Sequence, residues 1–177
     1  MSETLTDTGP VTIPPAGDYH IDRRHSAVTF TARHLFGLGS VHGAFDIRAG
    51  HIHVADDVGA SDAHAVIAAG SVRTGNATRD AAIRSAGFLG TDAHPDIAFV
   101  GNRVERVGGT WTLRGSLKVR GHARPVDVRV DSARTEGRRL VLRATSRVDR
   151  YVFGVTAAKL LVARHLTISL VIMAELA

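Results

Sequence analysis

The run GGTWTLRGSLKV, residues 108–119, indicates the fold class of this chain more clearly than any other stretch. Its apolar side chains fall mostly on every second position: Trp111, Leu113, Leu117 and Val119. This spacing is typical of a β-strand with one buried face. Gly108 and Gly109 stand directly before the strand and are typical of a tight hairpin turn. The run therefore predicts a strand that is entered through a hairpin.

The same period of two recurs from Gly17 to the end of the chain. Apolar residues on alternate positions predict further strands around Val28, Phe30 and Ala32; Phe45 and Ile47; Ala63, Ala65 and Ile67; Ile97 and Phe99; Val126, Val128 and Val130; Leu140, Leu142 and Ala144; and Leu166, Ile168, Leu170 and Ile172. Short turns join most of these segments, and consecutive strands tend to be neighbours. The sequence therefore predicts an all-β fold of about eight antiparallel strands, as a barrel or a sandwich.

Two segments interrupt this period and predict short helices. The first runs from Asn76 to Gly87, with Asn76 as the N-cap, several alanines, and Gly87 at the C-terminal end. The second runs from Thr156 to Leu161, with Thr156 as its cap. Helices inserted between strands in this way are expected near the mouth of a barrel.

The predicted interior is rich in small side chains. The chain has 18 glycines, and aromatic residues make up only 5% of it. A barrel of about eight strands is just wide enough either to be filled by its own side chains or to hold a small ligand. Both a hollow barrel and a packed sandwich are compatible with the period. In a hollow barrel Ala32→Trp would fill a void, whereas in a packed core it would cost about 1–3 kcal/mol.

Composition is that of an ordinary folded protein of 177 residues, with 44% hydrophobic and 22% charged residues. The formal net charge of +5 comes almost wholly from arginine, since Lys118 and Lys159 are the only lysines. These arginines are dispersed and form no basic run, so nucleic acid is not an expected partner. The absence of cysteine excludes disulfides, thiolate catalysis and Cys-ligated zinc.

The chain is predicted to form a single domain over residues 17–177, preceded by a flexible polar tail over residues 1–16. The tail contains Glu3, Asp7 and three prolines, and it lacks an apolar run of signal-peptide length. We therefore expect a cytoplasmic protein. No stretch has the uninterrupted apolar length of a membrane span.

Several short motifs occur in an order that resembles the YceI-like family. They include Tyr19–Ser26, Ser71–Asn76, His94–Phe99 and Asp149–Val155, and the resemblance extends over residues 17–176. It implies a lipocalin-like antiparallel barrel whose elongated apolar cavity takes polyisoprenoids, isoprenoid quinones or fatty-acid derivatives. It also implies a homodimer in many members. We therefore expect a binding or carrier protein without a cofactor, and not an enzyme.

Carried onto this chain, the resemblance places the ligand against the inner faces of the strands. The candidate ligand-binding residues are Phe30, Ala32, Phe45, Ile47, Ile67, Phe99, Leu117, Val128, Leu142, Ile168 and Leu170, with Phe88 and Phe153 near the helical segments. Each of these residues could instead belong to an ordinary packed core.

The charged residues of the motifs have two possible roles. Asp22, His25, Arg79, Asp80, Asp149 and Arg150 could orient the headgroup of a ligand or could hold the fold together. Because ion pairs near turns are mostly structural, we expect the second role.

Three other kinds of chemistry have only part of the residue pattern that they need. Asp22, His25 and Ser26 have the residue types of a nucleophilic triad, but adjacent strand residues face opposite ways. His51 and His53, with His42 or His64, could form the metal site of a small metal-dependent enzyme, yet no acidic residue completes a convincing spacing. The segment Gly37-Leu38-Gly39 lacks the rest of a phosphate loop.

Overall fold

A computed structural model describes residues 9–34, 39–159 and 161–177. Within them the protein consists of nine strands, one α-helix and two short 3-10 turns. The strands are β1 (Gly17–Ile21), β2 (Ala27–His34), β3 (Ser40–Val54), β4 (Asp62–Arg73), β5 (Asp96–Val107), β6 (Thr110–Val119), β7 (His122–Glu136), β8 (Arg139–Asp149) and β9 (Val162–Leu176). The helix α1 spans Ala77–Arg84, and the 3-10 turns span Val58–Ala60 and Arg150–Phe153.

The strands form a closed antiparallel barrel, which is one of the two architectures that the period of two allows and the one that the family resemblance implies. Each of the strands β2 to β8 pairs with the next strand in sequence, and β9 pairs with both β8 and β2. Pairing of β3 with β4 closes the ring. Because β1 and β2 both lie between β3 and β9, nine strands occupy eight positions around the barrel.

The break between β1 and β2 is held by side chains of the first recognisable motif. The Ser26 hydroxyl accepts a hydrogen bond from the Met173 N–H at 3.0 Å and donates one to the Met173 carbonyl at 3.2 Å. The Asp22 N–H donates to the same carbonyl at 2.8 Å. These bonds give partners to the backbone N–H and carbonyl of β9 at the point where neither β1 nor β2 pairs with that strand.

The predicted hairpin is confirmed. Gly108 and Gly109 link β5 to β6 with φ angles of 58° and 82°, which residues with a Cβ rarely adopt. Two glycines, by themselves, connect the strands in the two-residue turn that the sequence predicts.

The helix α1 is confirmed at its start, but its predicted end is wrong. The Asn76 side chain accepts from the Arg79 N–H at 2.9 Å, as expected of an N-cap. The helix ends at Arg84 and not at Gly87, since the Ser85 N–H and hydroxyl both donate to the Ala82 carbonyl. Residues 85–90 then form turns.

The second predicted helix, Thr156 to Leu161, is also wrong. Residues 157–159 form a turn, and Leu160 lies outside the described residues. A 3-10 turn lies earlier, at Arg150–Phe153, where Asp149 caps it and Gly154 ends it with a φ of 77°. The carbonyls of the following segment point at the Arg150 side chain, so they are not aligned as helical acceptors.

One end of the barrel is filled. Its core contains Phe153, which is 2% exposed, together with Val148 and Val155. Phe45, Phe88 and Leu89 pack against this cluster. We call this the helical end, because the segment with α1 and the second 3-10 turn both lie there. Among the described residues, no helix has the length and apolar character needed to cross a membrane.

The segment at residues 9–16, which the sequence assigned to a flexible tail, is bonded to the opposite end of the barrel. The Thr12 N–H donates to the Ala133 carbonyl at 2.8 Å, and the Ala133 N–H donates to the Pro10 carbonyl at 3.3 Å. The hydroxyl of Tyr19, which is 1% exposed, donates to the Pro15 carbonyl at 2.8 Å. We call residues 9–16 the strap.

Candidate ligand-binding cavity

The barrel encloses a cavity of about 230 Å³ whose wall is almost entirely hydrocarbon. On β8 its lining extends from Leu140 to Val148, which is about 27 Å measured along an extended strand. A volume of this size over such a length is a narrow passage and not a wide chamber. It runs from the cluster of the helical end towards the strap.

Eight of the thirteen candidate residues line this cavity: Ile47, Ile67, Phe99, Leu117, Val128, Leu142, Ile168 and Leu170. Several of them, including Ile67, Phe99 and Leu142, are only half-buried although they point into the barrel. Side chains remain accessible inside a barrel when the space beside them can hold molecules the size of water. Their contact with a ligand stays a prediction.

The other five candidates lie outside the cavity lining. Phe30 packs with Val41 and Val72 in a separate core cluster, with Phe45 against it. Phe88 and Phe153 belong to the core of the helical end. Ala32 is 4% exposed and does not line the cavity. The expectation that Ala32→Trp would fill a void is therefore wrong, because this position is already packed.

Further residues that are not among the thirteen candidates also line the cavity. Trp111 and Leu113 line it, in phase with Leu117 on the same strand, so the alternation alone could have identified them. Val11, Ile13 and Pro14 of the strap line it as well. No periodic signal marks the strap, since its position depends on pairing with a distant strand.

Polar atoms that reach the cavity wall are already bonded. The Ser146 hydroxyl donates to the Asp127 carbonyl at 2.8 Å, and the Ser61 hydroxyl accepts from the Ala55 N–H at 3.0 Å. Asp62 and His64 stand at the edge and lie 3.4 Å from each other. The cavity thus offers an apolar ligand few competing polar partners.

The charged motif residues lie away from the cavity. Asp22 and His25 form a pair at 2.7 Å at the break between β1 and β2, and the hydrogen bond from His25 is the main reason why the pKa of Asp22 is lowered. Asp80 accepts from the N–H and the hydroxyl of Thr74, and Arg79 donates to the same residue. The contacts of Asp80 and Arg79 hold α1 against the loop that follows β4.

Asp149 and Arg150 have similar local roles. Asp149 holds Arg164 through both carboxylate oxygens, at 2.7 to 2.9 Å, and this contact is the first cause of its lowered pKa. Arg150 is 4% exposed, and burial lowers its pKa. Neither residue borders the cavity, so headgroup contact finds no support in their position.

The alternatives from the sequence do not assemble into sites in the described part of the chain. His51 and His53 both contact Asp18, at 3.1 and 2.8 Å, and lower its pKa. No group of three His, Asp or Glu side chains is arranged there to hold a metal ion, whether His42 or His64 is considered as the third ligand.

The triad also fails on geometry, because the Ser26 hydroxyl bonds the backbone of Met173. Gly37 and Leu38 of the third alternative lie outside the described residues.

Solved structures share this architecture. BcnA of Burkholderia cenocepacia superposes with a TM-score of 0.78 at 18% identity, over 88% of this chain and 99% of BcnA. A polyisoprenoid binding domain from Saccharophagus degradans superposes with a TM-score of 0.70 at 15% identity, over 90% of this chain and 98% of that domain. At these identities the likeness concerns the fold.

Sequence comparisons identify both a relative and a family. Protein YceI of Shigella flexneri is 33% identical over 114 residues, and this match covers 63% of the chain and 59% of the relative. The chain thus matches less than two thirds of that relative's length. The YceI-like domain family matches residues 19–174, which include all nine strands except the ends of β1 and β9. The chain therefore belongs to the YceI-like family.

Proposed function

We propose that this protein binds and carries an elongated apolar molecule, such as a polyisoprenoid, an isoprenoid quinone or a fatty-acid derivative. The observation that carries the proposal is the narrow hydrocarbon-walled passage inside the barrel. Burying a CH₂ group in such a passage is worth about 0.8 kcal/mol, so a chain-like molecule gains affinity along its whole length.

The shape of the cavity favours a chain over a compact ligand. The lining on β8 follows most of that strand, whereas the volume is only about 230 Å³. An apolar cavity of about 150 Å³ already holds a single benzene ring, so the space along this barrel suits a slender molecule. A domain of the same fold from Saccharophagus degradans is named for polyisoprenoid binding, and this supports the ligand class.

A carrier needs no reaction chemistry, and the proposal includes none. The polar groups at the wall are engaged in the fold, and the transfer of hydrocarbon from water supplies the affinity. The ligand is expected to bind without covalent change and to be recovered intact.

The test compares bound lipid in the wild-type protein and two tryptophan variants. Ala65 lines the cavity, whereas Val100 is exposed on the outside of β5. Ala65→Trp is expected to reduce the bound lipid about tenfold or more by filling the passage, and Val100→Trp is expected to leave it unchanged. Native mass spectrometry and solvent extraction measure the occupancy. The proposal is wrong if the wild-type protein neither carries nor takes up an isoprenoid, a quinone or an acyl amide.

Assembly and location form a separate part of the proposal. We propose that the protein is a homodimer, as the family resemblance implies, and that it is located in the cytoplasm. Light scattering coupled to gel filtration should give twice the chain mass of 18.8 kDa. Fractionation of cells that express the full-length gene tests the compartment, and recovery outside the cytoplasm would contradict it.

A further inference from the structure

The strap differs from every other wall of the cavity in how it is held. The eight barrel positions are joined by antiparallel ladders of many residue pairs, some of which contain a β-bulge. By contrast, the strap has a single parallel bridge, between Val11 and Ala133. Three hydrogen bonds hold it in the described part of the chain: two with Ala133 and one from the Tyr19 hydroxyl.

The strap occupies an edge that the barrel leaves free. Pairing of β6 with β7 stops at Thr112 and Arg129, while β7 continues to Glu136. The backbone of β7 beyond Arg129 therefore lacks a β6 partner, and the strap bonds to it at Ala133. An exposed strand edge can take up and release such a segment without disturbing the other pairs.

The composition of the strap keeps the number of bonds small. Its sequence, GPVTIPPA at residues 9–16, has no charged side chain and three prolines. Proline has no N–H to donate, so the strap leaves few unsatisfied donors when it moves away from the barrel. Its apolar residues Val11 and Ile13 nevertheless line the cavity when it is in place.

The other boundaries of the cavity are built more firmly. The helical end is closed by the packed core around Phe153. The loop between β3 and β4, which contributes Val58, carries its own turn bonds: Asp57 accepts from the N–H groups of Gly59 and Ala60, and Ser61 bonds Ala55 and Val58. Of these boundaries, only the strap lacks internal hydrogen bonds among the residues that the structure describes.

We propose that the strap is the movable wall of the cavity, and that ligand enters and leaves by its release from the edge of β7. The inference rests on the proposed function and adds the route of exchange. It assigns Val11, Ile13 and Pro14 as ligand contacts in the closed state. Ligand exchange is therefore expected to be limited by detachment of residues 9–16 and not by unfolding of the barrel.

The chain offers a direct way to lock the strap. A Cβ atom at Gly9 would lie 3.2 Å from the Ser132 Cβ, so an outward shift of the strap by about half an ångström brings the two atoms to the separation of about 3.8 Å in a disulfide. Neither residue lines the cavity, and the natural chain has no cysteine to interfere. Gly9→Cys with Ser132→Cys should therefore form a reversible tether.

The experiment follows exchange of a fluorescent fatty acid, parinaric acid, by energy transfer from Trp111, the single tryptophan, which lines the cavity. Oxidation of the double variant is expected to slow both loading and release about tenfold or more, and to change the equilibrium Kd about twofold or less. Reduction should restore the wild-type rates. Each single cysteine variant, treated in the same way, is the control.

A second variant tests the opposite direction. Thr12→Pro removes the N–H that bonds the Ala133 carbonyl, and it should speed release. Unchanged rates in the fully oxidised double variant would overturn the strap inference and leave the proposed function intact. If the reduced protein binds no apolar probe at all, both are wrong.

Discussion

Arg150 shows how a single residue fastens the helical end. Its guanidinium is buried and donates to four backbone carbonyls, those of Val155, Ala157, Val162 and Ala163, at 2.7 to 3.0 Å. The first two carbonyls belong to the connection that follows the second 3-10 turn, and the other two belong to the first residues of β9. The acceptors are neutral, so hydrogen bonds to the backbone compensate the buried charge, and burial is the main cause of the lowered pKa of Arg150.

Removal of this side chain should destabilise the protein strongly. Arg150→Ala leaves buried carbonyls without donors, and each such group costs about 1–3 kcal/mol, so we expect a loss of about 3–5 kcal/mol in the free energy of unfolding. Urea denaturation measures it. Arg124, which is exposed and bonds only the carbonyl of its own neighbour, is the matched control. A loss below about 1 kcal/mol for Arg150→Ala would contradict the role given to it.

Two alanines inside the barrel differ in their surroundings, since one is packed and the other lies beside free space. Ala32 is 4% exposed in the core, whereas Ala65 lines the cavity. Ala32→Trp is expected to overpack its surroundings and to cost about 1–3 kcal/mol, whereas Ala65→Trp should cost less. Thermal and urea unfolding of the two variants compare them. Equal losses would indicate that the space beside Ala65 is not available.

Among the structural elements, the 3-10 turn at Arg150–Phe153 depends on its cap. Asp149 accepts from the Tyr151 N–H at 3.0 Å and binds Arg164 with both oxygens. The hydrogen bond from Arg164 is the main cause of the lowered pKa of Asp149. Since the folded state favours the ionised carboxylate, this contribution to stability is present above the unfolded pKa and is lost as the pH falls through the lower folded value.

The pH dependence of an Asp149→Ala variant tests this cap. At neutral pH the substitution should cost about 1–2 kcal/mol, and the difference from wild type should shrink below about pH 4. Chemical denaturation over a pH series provides the measurement. Asp92 is exposed, and its carboxylate makes no hydrogen bond within the described residues, so Asp92→Ala serves as the comparison. A difference that stays constant down to pH 2, about two units below the ordinary pKa of Asp, would refute the cap.

Strands could be predicted from the sequence because the period of two depends on the burial of alternate side chains. The ends of the helices could not be predicted in this way. They depend on hydrogen bonds from Ser85 and Arg150 to backbone carbonyls, and such bonds leave no periodic pattern in the sequence. The small side chains of the interior were only a partial guide. Some of the glycines make room for neighbours, as Gly43 does for Phe30 and Gly101 for Leu113, and so contribute no free volume.

The candidate site shows the same difference between what the alternation of side chains predicts and what it does not. Leu117 and Leu170 could be placed at the cavity from their alternation. Phe30 and Phe153 also point inward, but they lie in parts of the barrel that are filled by packed side chains. The direction of a side chain does not show whether the space beside it is filled. The strap escaped prediction because its contact with β7 joins residues more than a hundred positions apart.

At the scale of the whole molecule, the barrel is closed differently at its two ends. The helical end is sealed by a packed core, and the opposite end is crossed by the strap and by the loop between β3 and β4. Between them lies a passage that is long, narrow and apolar. A molecule built in this way should select ligands by length and thickness, and only weakly by polar groups.

The most direct test is a titration with saturated fatty alcohols of increasing chain length, followed through Trp111 fluorescence. The account predicts that each added CH₂ lowers Kd about fourfold, equivalent to about 0.8 kcal/mol, until the passage is full, after which the affinity levels off. Ala65→Trp should shorten the chain length at which this occurs. A Kd independent of chain length, or no binding by any alcohol in the series, would contradict the claim that the barrel encloses a hydrocarbon passage.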